Sequence, residues 1–193
     1  MIQCHLGLLS ASAGAPWRLS LGLAGQHTPP MTDSPARVEA IHTADSAGAP
    51  MVARERVRAI AGVGLEGDRY SRAAGHWSDH PAGDREITLV EAEVIDDLAA
   101  TDGIVLAPGE TRRNLTTRGI RLNELLGRRF RVGAVECEGI RLCEPCQYLT
   151  DSVGKPILRP LVHRAGLRAR ILNDGEIAVG DPVGVVDTGQ WRS

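Results

Sequence analysis

The chain has 193 residues, 42% of them hydrophobic, and a formal net charge of -2, enough length to bury an aliphatic core without disulfides. Aromatics at 3% leave few stacking platforms for single-stranded nucleic acid, and the small negative charge excludes a broad phosphate-tracking surface. No apolar run reaches membrane-spanning length, and Cys4, Cys137, Cys143 and Cys146 make no disulfide framework in a chain this long; the expectation is a reducing, cytoplasmic setting.

Residues 1–30 hold one arginine and no acid, and Arg18 comes too late for a signal peptide's basic region. They are expected to be a disordered leader or a start-site artefact, with 31–193 forming one domain. From there the pattern is strand and turn. A first strand is expected at 37–41, and 56–60 alternates polar and apolar with the period of a half-buried strand. The glycines at 62, 64 and 67 mark sharply turning backbone. The segment 71–84 follows as a loop carrying His76, Trp77 and His80, so a dinucleotide fingerprint, which needs a helix there, is not supported. A strand at 86–90 leads into the best helix of the chain, 91–100, with acids early. A polar strand is expected at 110–117, a helical turn at 122–126, and strands at 129–132 and 134–142. After the cysteines, 157–163 reads as one or two helical turns. Residues 166–172 and 176–179 read as a hairpin around Asn173-Asp174-Gly175, and 183–186 as a last strand. Many short strands, glycine turns and few helices predict a mostly β fold, a closed or nearly closed β-barrel with a few short helices.

Arg141-Leu142-Cys143-Glu144-Pro145-Cys146 is the stretch richest in chemistry. Three readings stand. A structural zinc site needs a second ligand pair at short spacing, which Cys137 and a lone His163 do not supply. A redox dithiol needs its first cysteine at a helix N-terminus, whereas here a strand precedes the pair. The third is a single thiol, Cys146, acting as a soft metal ligand or sulfur-accepting nucleophile beside arginine, with the role of Cys143 open. Against all three stands burial of both as small hydrophobes, the usual fate of free cysteine. Arg112, Arg113, Asn114, Thr116 and Arg118 form a dense donor set suited to a phosphate or pterin-like edge, although any one arginine alone reads as solvated surface. His163, Arg164, Arg168 and Arg170 are expected to return toward the cysteines. Asp68-Arg69 reads as an ion pair or turn. His76 and His80 would pair on a metal only on a helix, and Gly75 and Pro81 make that segment a loop.

Several stretches together resemble the MOSC domain family. They are Gly64-Leu65-Glu66-Gly67-Asp68-Arg69, Ile87-Thr88-Leu89-Val90-Glu91-Ala92-Glu93, Pro108-Gly109-Glu110-Thr111-Arg112-Arg113-Asn114-Leu115, Gly127-Arg128-Arg129-Phe130-Arg131-Val132-Gly133, Glu144-Pro145-Cys146 and Gly180-Asp181. The resemblance implies a β-barrel and a cysteine that binds molybdenum or carries sulfur. The family includes the C-terminal domain of molybdenum cofactor sulfurases and small stand-alone bacterial proteins, some of which reduce N-hydroxylated compounds with a molybdopterin cofactor. Carried onto this chain, the family cysteine falls on Cys146 as catalytic residue and metal ligand. Arg112, Arg113 and Asn114 fall where the family has cofactor-facing residues, and Thr116, Arg141, His163 and Arg164 are further cofactor-binding candidates. The chain resembles a short form with no fused ferredoxin or aminotransferase-like domain, so electrons or persulfide are expected from a partner, a separate reductase or a cysteine desulfurase. The resemblance thus implies a molybdenum-cofactor protein reducing a small N-hydroxylated substrate. The alternatives are a sulfur carrier holding a persulfide on Cys146 and a cofactor-free binding module.

Overall fold

The computed structural model describes residues 35–79 and 84–186; the expected leader, 1–30, lies outside them. The strands are β1 (Arg37–Thr43), β2 (Val52–Arg54), β3 (Arg56–Ile60), β4 (Gly64–Leu65), β5 (Ile87–Glu91), β6 (Leu115–Arg118), β7 (Arg129–Val132), β8 (Val135–Leu142), β9 (Leu167–Ile171), β10 (Gly175–Ala178) and β11 (Val183–Val185). Helix α1 is Ala92–Thr101 and α2 is Gln147–Val153.

Eight strands form one sheet in the order β11-β7-β8-β9-β5-β6-β1-β2, and β10-β3-β4 form a second. A bridge between Arg37 and Pro182 brings β1 to β11. There the Val38 N–H donates to the Asp181 carbonyl at 2.8 Å and the Val183 N–H to the Ala36 carbonyl at 2.9 Å. The large sheet therefore curls back on itself into a nearly closed barrel, the expected fold class, and β11 and the start of β1 lose the exposed polar edge that invites aggregation. β5 and β6 pair in parallel, a connection that needs a crossover, and α1 supplies it.

Alternation decides what fills the barrel. Ile87 and Leu89 of β5, Leu115 of β6, Phe130 of β7, Cys137 of β8 and Leu167 and Ala169 of β9 belong to one fully buried cluster. A second cluster sits outside the barrel, where Val94 and Leu98 of α1 meet Leu106, Leu149, Ile157, Leu161 and Ala165. It pins α2 to the barrel wall, and Cys146 packs against its edge. Burying one such leucine is worth about 1.5–3 kcal/mol, so this cluster fixes the position of the cysteine segment.

Three expectations change. The polar strand begins only at Leu115, because Gly109 and Arg112, with φ of 80° and 56°, turn the preceding residues. The helical segment after the cysteines is α2 itself, whereas 158–164 is a run of turns. The expected hairpin at 166–179 does not form. β9 pairs with β5 and β8, while β10 pairs with β3 in the other sheet. The turn side chains explain this: Asn173 Oδ1 accepts the Glu136 N–H at 2.7 Å and Asp174 Oδ1 the Ala61 N–H at 2.9 Å. Asn173 thus ties the chain to β8 and Asp174 to the residue just past β3, which parts β10 from β9.

Candidate functional site

Across β5, β9 and β8, Thr88 lies beside Arg168 and Arg168 beside Arg141. Thr88 and Arg168 sit one step out of phase with the core residues Leu89, Leu167 and Ala169, so they face outward. A shift of register in β8 between Gly139 and Arg141 is what aligns Arg141 with this row. Above the row the chain leaves β8, passes Cys143 and Cys146, and enters α2. Gly166, with φ +113°, permits the close approach this requires, since a Cβ there would collide with the Leu89 carbonyl. Its own carbonyl accepts the Cys143 N–H at 2.7 Å.

The resulting pocket encloses about 50 Å³ and is lined by Cys143, Glu144, Cys146, Tyr148 and Leu149 on one side. Arg69, Tyr70, His76, Trp77, Arg85, Thr88, Arg112, Arg113 and Arg168 complete it. The two cysteines are not equivalent. Cys143 is 2% exposed, and Cys146 is half-buried at the N-cap of α2. The helix N-terminus thus falls at the second cysteine of the pair, not the first. Cys137 is a core residue whose thiol burial pushes up to about 12, which removes it from thiolate chemistry.

The arginines carry different burdens. Asp68 and Arg69 do form an ion pair, at 3.2 Å, and Arg69 also donates to the Arg112 carbonyl at 2.9 Å. Asp84 sits among Arg141, Arg85 and Arg168. Arg113 donates to the carbonyls of Ala165 at 2.9 Å and Cys143 at 3.2 Å, so it braces the cysteine segment. Arg112 donates through Nη1 to the Ala49 carbonyl at 3.0 Å, but its Nη2 is buried with no hydrogen-bond partner. Among the described residues neither Arg112 nor Arg113 meets a carboxylate. Burial, and then the nearby Arg69 charge, push the Arg112 pKa below its ordinary value. Arg168 Nε is likewise buried and unpaired. Unsatisfied guanidinium donors around a small cavity are the physical signature of a place for an anion.

The mouth is aromatic. His76 stacks on Tyr148 at 4.0 Å and 5°, and Trp77 meets His76 edge-on at 4.7 Å. The Tyr148 hydroxyl accepts the Gly48 N–H at 3.1 Å. On the rim, Glu144 accepts from the His163 backbone N–H at 3.0 Å and meets its Nδ1 at 2.8 Å. Contact with His163 outweighs burial and holds the Glu144 carboxyl below the usual range.

The sequence candidates therefore divide. Cys146, Arg112 and Arg113 line the pocket. His163 contacts the lining residue Glu144, and Arg141 is one step further off, sharing Asp84 with the lining residues Arg85 and Arg168. Asn114 is buried away from it, with Oδ1 accepting from Thr88 and Nδ2 donating to the His42 carbonyl and Asp68; its role is to join strands. Thr116 points to a different cavity, because alternation along β6 turns it opposite Leu115. Arg164 pairs with Asp97 of α1 at 2.6 Å and does not line the pocket. His76 lies in a turn and His80 falls outside the described residues. Tyr70, Arg85, Thr88 and Tyr148 are lining residues that sequence reasoning assigned no role, and Arg69, read as half of an ion pair, lines the pocket as well. The one available signal was the glycine-rich stretch before Arg69 and Tyr70, a sign of backbone approaching something closely. Among the described residues no three His, Cys, Asp or Glu side chains converge as a metal-ligand group.

The family model for the MOSC domain matches residues 42–184. The chain belongs to the MOSC family. Its fold is similar to that of the YuaD protein from Bacillus subtilis, with TM-score 0.66 and 18% identity over 79% of this chain and 96% of that one. It is also similar to YiiM from Geobacillus stearothermophilus, with TM-score 0.61 and 18% identity over 81% and 78%. For YiiM from Escherichia coli the TM-score is 0.55, with 19% identity over 78% and 70%. No curated protein matches the chain in sequence. Among the described residues of this MOSC protein, no helix is long and apolar enough to cross a membrane.

Proposed function

We propose that this MOSC protein binds a molybdopterin-type cofactor, with Cys146 as the metal ligand, and reduces small N-hydroxylated compounds with electrons from a separate reductase. The observation that carries this reading is the meeting of one accessible thiol with Arg112, whose buried Nη2 has no partner. The donor set suits the group: a soft sulfur for the metal, and guanidinium forks for a phosphate. The enclosed space of about 50 Å³ takes the phosphate end and not a fused ring system, since pockets for whole drug-sized ligands run about 300–1,000 Å³.

The bound group would supply the two-electron redox change that the side chains lack. The chain's own residues then hold and orient. Arg112, Arg113 and Arg168 offset negative charge, Thr88 offers a hydroxyl, and the His76–Tyr148 stack covers the mouth and limits water entry. Reduction of an N–OH group consumes two electrons and two protons, breaks the N–O bond and releases water. Glu144 with His163 stands at the rim as a route for protons from solvent. The test is elemental analysis of protein made in a host that synthesises the cofactor. Near-stoichiometric molybdenum in the wild type, lost in Cys146→Ser, is the expected result. Equal metal in both would remove Cys146 as ligand.

A second reading is favoured by the burial of Cys143, which leaves Cys146 as the one accessible thiol of the pair. In it, the Cys146 thiolate takes the outer sulfur of a cysteine desulfurase's persulfide, forming one S–S bond while the desulfurase thiolate leaves. No molybdenum in either protein, together with an adduct of about 32 Da on Cys146, one sulfur atom, would support the carrier over the reductase.

A further inference from the structure

On the other side of β6, Thr116 and Arg118 face a second cavity of about 190 Å³, well over the space at Cys146. Its walls are aliphatic, from Ala40, Ala92, Ile95, Leu106 and Pro108. His42 of β1 lines it as well, 3% exposed, and the Nδ1 of that ring is buried with no hydrogen-bond partner. Gly109 allows the loop to close on the imidazole, since a Cβ there would lie 3.0 Å from His42 Cδ2. Burial holds the His42 pKa below its ordinary value, so the ring is neutral near pH 7.

The ligand chemistry follows from these walls. A neutral imidazole presents one donor and one acceptor nitrogen, and a hydroxyl can answer either. At the mouth, Arg118 is shared between Glu39 and Asp96, one positive charge against two negative, which disfavours anions. An apolar cavity of about 150 Å³ is enough to hold benzene, so the space here fits a single ring with a substituent. We propose that this groove binds a small uncharged phenol, its ring against Ile95 and Leu106 and its hydroxyl paired with the His42 imidazole. The site shares no lining residue with the pocket at Cys146 and does not depend on the proposed cofactor.

The experiment is titration of the full chain with phenol to roughly millimolar concentration, following the His42 ring in 1H–15N spectra, with toluene and benzoate as controls. The expected result is a saturable shift at His42, toluene about tenfold weaker for want of one hydrogen bond, and no shift with benzoate. Ile95→Trp, at a partly buried residue lining the groove, fills it and abolishes the shift, with the remaining 1H–15N signals kept as the check on folding. This variant avoids replacing a buried histidine. Toluene binding as well as phenol, a phenol shift that spares His42, or a shift that survives Ile95→Trp would each overturn the proposal.

Discussion

Arg112 and Asn114 are two residues apart, yet they belong to opposite kinds of polar interior. Around Asn114 and Asp68 every named donor and acceptor is used. Both side-chain groups of Asn114 are satisfied, and Asp68 accepts from Ala44, Tyr70, Arg69 and Asn114. Around Arg112 the donors outnumber their acceptors, and Arg112 Nη2 and Arg168 Nε are left over. The first network specifies where β1, β5 and β6 meet. The second holds unspent hydrogen-bonding capacity beside a thiol. A buried polar group without a partner lowers stability unless something binds it, so the contrast separates scaffold from site.

That contrast is open to direct attack. Asp68→Ala strands the buried Arg69 charge and the Asn114 amide together, and breaking a buried pair from one side costs about 3–5 kcal/mol; urea unfolding measures it. Leu149→Ala removes the anchor of α2 from the outer cluster and is expected to cost about 2–5 kcal/mol, and, on the proposed function, to lower molybdenum content because Cys146 moves with the helix. Arg112→Met is expected to act in the opposite sense. Stability changes by less than about 1 kcal/mol, or rises, because a buried unpaired charge is gone. Stabilisation by added phosphate, about 2.7 kcal/mol at a hundredfold excess over Kd, disappears. A large stability loss in Arg112→Met, with phosphate binding kept, would dissolve the distinction between the two regions. The smallest effect concerns His42. Its folded pKa lies below the ordinary 6.5, so its contribution is fully present above that pH and is lost as pH falls toward the folded value. Wild type is expected to lose stability between pH 7.5 and pH 5.5 by more than His42→Phe does, as chemical unfolding at the two pH values will show.

Much of the frame was legible from residue periodicity. Arg56-Val57-Arg58-Ala59-Ile60 alternates and forms β3 over the expected residues, and the apolar run of β5 and the amphipathic α1 follow as read. α2 was hidden because it is seven residues long and only Leu149 in it is fully buried, too little for a period to show. The false hairpin had the right turn residues, but Asn173 and Asp174 spend their side chains on β8 and on the residue just past β3, a tertiary decision. Residue chemistry pointed to Cys146, Arg112 and Arg113. Asn114 and Thr116 lie off that pocket, Asn114 in the bend before β6 and Thr116 on the other face of the strand, and a donor's type alone says nothing of such placement. The His76–Tyr148 stack joins residues far apart in sequence and left no local trace.

The seam between β1 and β11 also sets the order of events when the chain is made. Arg37 finds Pro182 only after nearly all the described residues have been synthesised, and long-range pairing of this kind is slow because the loop must be closed before any contact rewards it. Until then Ala36 and Val38 keep unpaired backbone groups on an open edge. Nascent chains stalled before residue 182 should therefore be the aggregation-prone species, and β11, which contributes nothing to the cysteine pocket, governs how safely the protein reaches its native state.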